Sequence, residues 1–258
     1  MKKKKRQFSR ASVMYIVLGI TLIGVMTLIG TSAFLSVNFF VINGASVYTP
    51  EQIIEASGVS RGDNLLYLNE QTVASNIRKE LPYISTVEIS REFPDTLTIT
   101  VVESTAVAYL YFAGDIVVID ATGRVLERSP IAISLVPNLD VKGLVEVRGV
   151  LVSEAMVGLQ IKSEAGVESY FQAMQNVLIS MEREGLIDDV NYLDVSNINN
   201  INFGFRELYR VVLGGISDLR TKLGTLKANI SQIQSTYPNT RVVINMSDPS
   251  GDIKFSPE

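Results

Sequence analysis

The sequence predicts a single-pass membrane protein whose exported part has an α+β fold. Three observations predict this architecture. A basic cluster at the N-terminus precedes a long, uncharged apolar segment. A first module then has the pattern strand, helix, helix, strand, strand, and a second module has many short strands and two helical patterns, typical of a mostly antiparallel β domain with two helices. The predicted parts are a cytoplasmic basic tail (1–12), a transmembrane helix (13–36), the first module (37–104), the β domain (105–246) and a C-terminal tail (247–258).

The composition excludes several classes of active site. The 258 residues include no cysteine and no histidine. Disulfides, thiolate or zinc sites, and catalytic triads that use His or Cys therefore lack their parts. Six of the 23 basic residues lie in the first ten positions, so 17 remain against 27 acidic residues in the rest of the chain. Such an acidic body offers no electrostatic surface for nucleic acid. We expect a protein without catalytic activity, cofactor, metal or small-molecule substrate.

The N-terminal segment has the features of a membrane anchor. No charged residue lies between Arg10 and Glu51, and Val13 to Leu35 is almost wholly apolar. A helix of about 23 residues reaches roughly 35 Å and can cross a hydrocarbon core of about 30 Å. A cleaved signal peptide is the alternative, but its apolar region runs to only about 7–15 residues. By the positive-inside rule the basic cluster stays in the cytoplasm and the rest is exported. The topology-determining residues are Lys2, Lys3, Lys4, Lys5, Arg6 and Arg10.

Local signals define the elements of the first module. Thr49, Pro50 and Gln52 form a capping box with proline at the first helical position. A second helix begins after Asn69 and ends at Pro82. Two strands follow, in which apolar and polar residues alternate so that one face is buried; the apolar positions are Val87 and Ile89, then Leu97, Ile99 and Val101.

The second module alternates short strands with two amphipathic helices. The tight turn Asp120–Gly123 joins two of the early strands, and a last strand is predicted at 241–246. Ser217 or Asp218 is expected to cap the second helix. A further strand is expected from Ile198 to Phe203. The apolar residues at helical spacing are Val167, Phe171, Met174, Leu178 and Met181 in the first helix, and Ile216, Leu219, Leu223, Leu226 and Ile230 in the second.

The first module resembles a POTRA domain of the type found in the FtsQ/DivIB family of bacterial cell-division proteins. Shared features are Gly44 after the first strand, the G-x-N-L pattern from Gly62, Pro82 at the end of the second helix, and R-x-x-P-x-T-L from Arg91. The resemblance extends into the second module. It covers D-x-x-G-x-V from Asp120, V-x-L-G ending at Gly214, and the K-L-x-x-L helix pattern that begins at Lys222.

The resemblance implies a divisome scaffold in the cytoplasmic membrane, facing outwards at the division septum. Proteins of this family are understood to recruit small coiled-coil partners of the FtsB/DivIC and FtsL type and to regulate septal peptidoglycan synthesis. Carried onto this chain, the partner site is the last strand, on or beside a sheet edge, with the tail that follows it. The implied partner-binding residues are Val242, Ile244, Met246, Ser250, Gly251 and Phe255.

Two alternatives come from other classes of function. POTRA modules also occur in envelope assembly and secretion factors, although those carry tandem copies and a β-barrel that do not fit this length. An envelope enzyme would have to use carboxylates, of which Asp188, Asp189 and Asp194 are the candidates. Neighbouring carboxylates point apart on a strand or turn, and Lys162-Ser163 has the same difficulty as a Ser-Lys pair.

Overall fold

The computed structural model describes residues 10–130, 141–248 and 253–257. Two sets of predicted functional residues lie outside these ranges, namely Lys2, Lys3, Lys4, Lys5 and Arg6 of the tail, and Ser250 and Gly251 of the partner site. The chain divides into two compact units. The first draws on Met1–Arg78 and Thr86–Glu103, and the second on Lys79–Ser85 and Ser104–Glu258.

Helix α1 (Arg10–Phe34) occupies the predicted transmembrane segment and includes Arg10 as its first residue. In the described parts of the chain, the combination of length and hydropathy needed to cross a membrane is not reached by any helix.

The first unit has the predicted order of strands and helices. Its elements are β1 (Phe39–Asn43), α2 (Pro50–Ser57), α3 (Glu70–Glu80), β2 (Ile84–Glu92) and β3 (Thr96–Glu103). The three-stranded sheet has the order β1-β3-β2, in which β1 runs parallel to β3. Burial of Ile53 and Ile77 from the helices and of Leu97 and Ile99 from β3 forms its core.

Both predicted helix starts are confirmed. The hydroxyl of Thr49 accepts the Gln52 N–H at 3.3 Å, and the Gln52 side chain accepts the Thr49 N–H at 2.9 Å, which completes the capping box. Asn69 Oδ1 accepts the N–H groups of Gln71 and Thr72 at 3.1 and 3.2 Å. These contacts span at most three residues, so the local sequence is enough to predict them.

Gly44 closes the turn after β1 where no side chain fits. Its φ of 81° lies in the left-handed region, and a Cβ atom at this position would lie 2.1 Å from the carbonyl oxygen of Val101. Gly62 also has a positive φ of 97°, but a Cβ there would meet nothing within 4 Å. Alanine at position 62 would therefore cost only backbone strain, whereas alanine at position 44 would cost both backbone strain and a steric clash.

We expect Gly44→Ala to destabilise the first unit much more than Gly62→Ala. The Gly62→Ala change should cost about 1–2 kcal/mol, because left-handed backbone is strained for a residue with a Cβ. Gly44→Ala should cost about a further 1–3 kcal/mol, because β3 must move to relieve the overlap. Urea unfolding of residues 35–257 measures both; equal losses would show that the Val101 contact is unimportant.

A carboxylate holds the loop that follows Gly44. Glu103 accepts the backbone N–H groups of Ser46 at 3.0 Å, Val47 at 2.9 Å and Tyr48 at 3.4 Å, together with the Ser46 hydroxyl. Burial raises the pKa of Glu103, but these hydrogen bonds outweigh burial and the pKa is lowered from 4.5. The charged form therefore binds the loop better than the protonated form.

Because the pKa of Glu103 is lowered in the folded state, its contribution is present above the unfolded-state value of 4.5 and is lost as pH falls through the folded value. We expect Glu103→Gln to lower the free energy of unfolding at pH 7, with a difference from the parent that shrinks towards pH 3. Glu88→Gln, which alters an exposed glutamate of β2, is the matched control. A pH-independent loss for Glu103→Gln would contradict this account.

The described residues of the second unit form a nine-stranded sheet, a separate pair of strands, two α-helices and a short 3-10 helix. The helices are α4 (Glu168–Glu184), α5 (Leu219–Thr236) and the 3-10 helix (Ile187–Asp189). The strands are β4 (Ala108–Phe112), β5 (Asp115–Ile119), β6 (Val125–Pro130), β7 (Val145–Arg148), β8 (Val152–Glu154), β9 (Lys162–Ser163), β10 (Val190–Asp194), β11 (Ile201–Phe205), β12 (Tyr209–Gly214), β13 (Val242–Asn245) and β14 (Lys254–Pro257). The sheet order is β14-β13-β12-β11-β10-β7-β4-β5-β6, and β8 and β9 form the separate pair.

One core joins both helices to the sheet. Met174 and Leu178 of α4 and Leu223 and Leu226 of α5 are fully buried in the same apolar cluster as the inward residues of the strands. The helical spacing of these residues predicted their burial correctly. The sheet is mostly antiparallel, as predicted, but β7 pairs in parallel with β4 and β10, and β12 pairs in parallel with β13.

In the second unit, one expected strand start is wrong, and one expected helix cap is confirmed in position only. The strand predicted from Ile198 begins at Ile201, because Asn197 starts a turn in which its side chain accepts the Asn199 N–H at 3.0 Å. Asp218 stands at the N-cap of α5, but its φ of 56° accompanies no side-chain capping hydrogen bond. Asn and Asp side chains favour turns as readily as caps, so the sequence alone does not separate the two.

Candidate partner-binding site

The predicted C-terminal tail contributes a strand to the sheet. β14 pairs antiparallel with β13, with Ile244 opposite Phe255 and Val243 opposite Ser256. No described strand pairs with the other side of β14, which therefore forms one edge of the nine-stranded sheet. Backbone N–H and C=O groups along such an edge can pair with a strand from another chain. Pro257 has no N–H to offer and limits the length of that edge.

The predicted site residues of β13 lie beside the edge strand and not on it. Val242, Ile244 and Met246 are at most 4% exposed and belong to the core of the second unit. Phe255 is 39% exposed and lies on the same face as Ile244, because directly opposed residues of an antiparallel pair share a face. The apolar face of the sheet thus continues from the core to an accessible aromatic ring at the edge.

Local hydrogen bonds and one bond to the neighbouring strand β12 secure the end of β13. Asn245 Oδ1 accepts the N–H of Ser247 at 2.9 Å and its hydroxyl at 2.7 Å, and the Met246 N–H bonds to the Val212 carbonyl at 2.8 Å. Lys254 Nζ lies 3.0 Å from Asp248 Oδ2, which joins the two ends of the connection between β13 and β14. Because this ion pair is exposed, it contributes little to the free energy of unfolding and mainly orients the connection between the two strands.

Two of the sequence motifs meet at this end of the sheet. Gly214 has a φ of 70°, and a Cβ atom there would lie 2.9 Å from the Cβ of Ser247. Lys222 of α5 donates from Nζ to the carbonyl oxygens of Leu213 at 2.7 Å and Gly215 at 3.2 Å. The V-x-L-G and K-L-x-x-L patterns therefore act together, since the lysine of one binds the turn that ends the other.

The third motif forms a turn in the same unit. Asp120 Oδ1 accepts the N–H groups of Thr122 and Arg124 at 2.8 and 3.0 Å, and its other oxygen accepts the Ser104 hydroxyl at 2.8 Å. Gly123 completes the turn with a φ of 80° and leaves space for the ring of Phe171, which a Cβ would approach to 2.6 Å. The role of this motif in the described contacts is structural.

Similarity to known proteins supports the POTRA and FtsQ/DivIB resemblance of the sequence motifs. Residues 35–104 match the POTRA domain of the FtsQ type. The cell division protein DivIB of Clostridium tetani is 26% identical over 205 residues, covering 80% of this chain and 73% of the relative. DivIB of Clostridium acetobutylicum is 26% identical over 190 residues, covering 74% and 71%. FtsQ of Streptomyces bingchenggensis is 29% identical over 119 residues, covering 46% and 45%.

The chain is similar to FtsQ/DivIB proteins over most of its length. This similarity supports a role in cell division, and FtsQ/DivIB division proteins are generally non-catalytic scaffolds. The resemblance drawn from the glycine, proline and helix motifs of the sequence is thereby confirmed.

The carboxylates considered for catalysis do not form a cluster in the described residues. Asp189 binds Arg206 at 2.8 Å, and Asp188 precedes it in the 3-10 helix. Burial raises the pKa of Asp194, but hydrogen bonds from Ser196 and Asn202 outweigh it and the pKa is lowered. The Lys162 ammonium pairs with Glu154 at 2.6 Å. Among the described residues, His, Cys, Asp and Glu form no group of three that could hold a metal ion.

Sequence reasoning missed a polar and aromatic cluster on the sheet of the second unit. Arg148 binds Glu146 through two hydrogen bonds of 2.9 and 2.7 Å, and its guanidinium lies 4.6 Å from the ring centroid of Tyr192. Gly204 leaves room for that ring, since a Cβ there would lie 2.5 Å from it. Burial and the charge of Glu146 raise the pKa of Tyr109 to about 12. The cluster combines β4, β7, β10 and β11, so no single stretch of sequence displays it.

We expect Gly214→Ala to loosen the C-terminal edge of the nine-stranded sheet, while Gly215→Ala leaves it intact. The first change adds left-handed strain of about 1–2 kcal/mol and displaces Ser247. In Gly215→Ala, the nearest atom to the new Cβ would be the Ile198 carbonyl oxygen at 3.9 Å, and the backbone of Gly215 lies outside the left-handed region. Urea unfolding and amide exchange at Met246 and Ser247 measure the difference. Equal effects from the two neighbouring substitutions would contradict the proposed packing.

Proposed function

We propose that this chain is a bitopic, non-catalytic divisome scaffold of the cytoplasmic membrane that recruits and regulates FtsB/DivIC-like and FtsL-like proteins during septum formation. The single observation that carries the recruiting role is the accessible edge strand β14, which includes the exposed residue Phe255. Similarity to DivIB and FtsQ proteins supports the setting in cell division. The polypeptide partners and the lipid of the membrane are its ligands in this proposal.

The proposed anchor is α1, with the N-terminus inside and both modules outside. The charge-free sequence from Val13 to Leu35 and the basic residues before it support this topology. The described apolar side chains of α1 add support, because Tyr15, Ile23 and Met26 are exposed along the helix instead of being packed in a protein core. Lipid is the environment in which such side chains are stable.

The proposed docking mode is strand addition to β14. A partner strand would satisfy the backbone groups of that edge, and Phe255 would give it an apolar contact on the face shared with Ile244. Val242, Ile244 and Met246 then act indirectly, because their burial holds β13 and so positions β14. Ser250 and Gly251, outside the described residues, remain in the proposal as part of the connection between the two strands.

The test is a pull-down of FtsB/DivIC-like and FtsL-like proteins by the full chain in detergent. Deletion of residues 253–258 removes β14 without removing the buried side chains of β13, and Phe255→Ala removes only the ring. We expect the deletion to abolish capture and Phe255→Ala to weaken it about tenfold, because an interface aromatic side chain contributes about 1–2 kcal/mol or more. Leu151→Ala, an exposed apolar truncation elsewhere in the second unit, is the matched control.

The outcomes separate the parts of the proposal. Capture that survives deletion of residues 253–258 moves the partner site away from β14. Equal losses for Phe255→Ala and Leu151→Ala show that the ring has no specific role. If neither candidate partner is captured by the folded parent chain, the recruiting function is wrong and the assembly-factor alternative is the one to pursue.

A further inference from the structure

The connection between α1 and β1 is short, and its backbone is hydrogen-bonded to other loops of the first unit. Only residues 35–38 separate the end of α1 from the start of β1. The Leu35 carbonyl accepts the Leu65 N–H at 2.8 Å, and the Val37 N–H bonds to the Asp63 carbonyl at 2.8 Å. The side chain of Val37 is fully buried. The first unit therefore has no free linker that would let it move away from the end of α1.

A first loop with exposed apolar residues lies at this end of the unit. Ser36 and Asn64 form an antiparallel bridge, so the chain runs towards α1 as it passes Asn64. Asn64 Oδ1 accepts the Leu66 N–H at 2.9 Å, and the Asn64 carbonyl accepts the Tyr67 N–H at 3.1 Å. This turn buries Leu65 completely but leaves Leu66 45% and Tyr67 80% exposed.

A second loop lies at the same end of the unit. Phe93 lies in the turn between β2 and β3 and is 57% exposed. The carbonyl of Asp95 in this turn accepts the N–H groups of Asn38 and Phe39 at 2.8 and 3.2 Å. The turn is thus held against the residues that leave α1. Both loops therefore place large apolar side chains near residues 35–38, where the chain would leave the membrane in the proposed topology.

The acidic side chains of this end are engaged by the protein itself. Asp63 Oδ2 accepts the Ser60 N–H at 2.8 Å, and Glu70 pairs with Arg91 at 2.9 Å. Asp95 Oδ2 accepts the Asn38 amide at 3.4 Å. Because these carboxylates have partners, they present less of an obstacle to contact with a lipid surface than free carboxylates would.

From this placement we propose that Leu66, Tyr67 and Phe93 form a membrane-contact patch that enters the outer lipid interface and holds the first unit against the bilayer. Tyr and large apolar side chains are the groups that favour the boundary between headgroups and acyl chains. The occupant of the patch is the lipid bilayer, and the inference rests on the proposed anchoring by α1. The first unit is then held at the outer membrane surface next to the anchor.

The chain lacks tryptophan, so a single introduced Trp is the only tryptophan emitter. Tyr67→Trp and Phe93→Trp report the patch, and Leu22→Trp within α1 reports the anchor. Val47→Trp is the control: Val47 is 56% exposed but lies at the Glu103 end of β3, which at about 3.3 Å per residue is roughly 23 Å from the Thr96 end. Each full-chain variant is reconstituted into phosphatidylcholine–phosphatidylglycerol vesicles with lipids brominated at shallow acyl positions, and Leu22→Trp, near the middle of α1, also with lipids brominated at deep acyl positions.

We expect the brominated lipid to reduce the emission of Tyr67→Trp and Phe93→Trp by about half, since interface-bound side chains lie about 5–10 Å into the headgroup–acyl boundary. Val47→Trp should keep its emission. Quenching of Leu22→Trp with Tyr67→Trp and Phe93→Trp unquenched would overturn the patch and leave the anchor standing. Absence of quenching in Leu22→Trp would overturn the anchor and the patch with it. Equal quenching of Val47→Trp would also overturn the patch, because contact would then not be confined to one end.

Discussion

The accessible edge of the second unit depends on the burial of β13. Val242 and Ile244 lie in the same core as Leu223 and Leu226 of α5, and without that burial β14 would have no strand to pair with. The hydrophobic contribution of a fully buried Val or Ile side chain is about 1.5–3 kcal/mol, far more than the exposed Lys254–Asp248 pair contributes. Most of the stability of the site therefore comes from the buried residues of β13, and a partner would contact only the short edge strand β14.

An exposed strand edge is useful for recruitment and hazardous for solubility. β14 has only four residues, one of which is a proline, and it carries a lysine at its start. Short length, proline and lysine are all features by which natural sheets avoid uncontrolled pairing. The same edge can then be selective, because in the proposed docking mode a partner strand must also contact the ring of Phe255 in β14.

Sequence reasoning succeeded where the deciding contacts are local. Thr49 and Asn69 cap their helices through bonds to residues two or three positions away, and the buried stripe of α4 follows from its own period. It failed where two local choices compete, as at Asn197 and Asp218. The strand β14 was also missed, because its residues show no alternating apolar pattern and its order comes from pairing with β13.

The sequence by itself determined the membrane-helix prediction, the helices of both modules, the family resemblance and the classes of catalysis for which no residues exist. These follow from composition and from periodicities within about twenty residues. Only the tertiary structure decided that Val242, Ile244 and Met246 are buried beside the edge, that Lys222 secures the turn at Gly214, and that Leu66, Tyr67 and Phe93 lie at one end of the first unit. Each of these depends on pairing between distant segments, whose closure brings together residues that no local pattern connects.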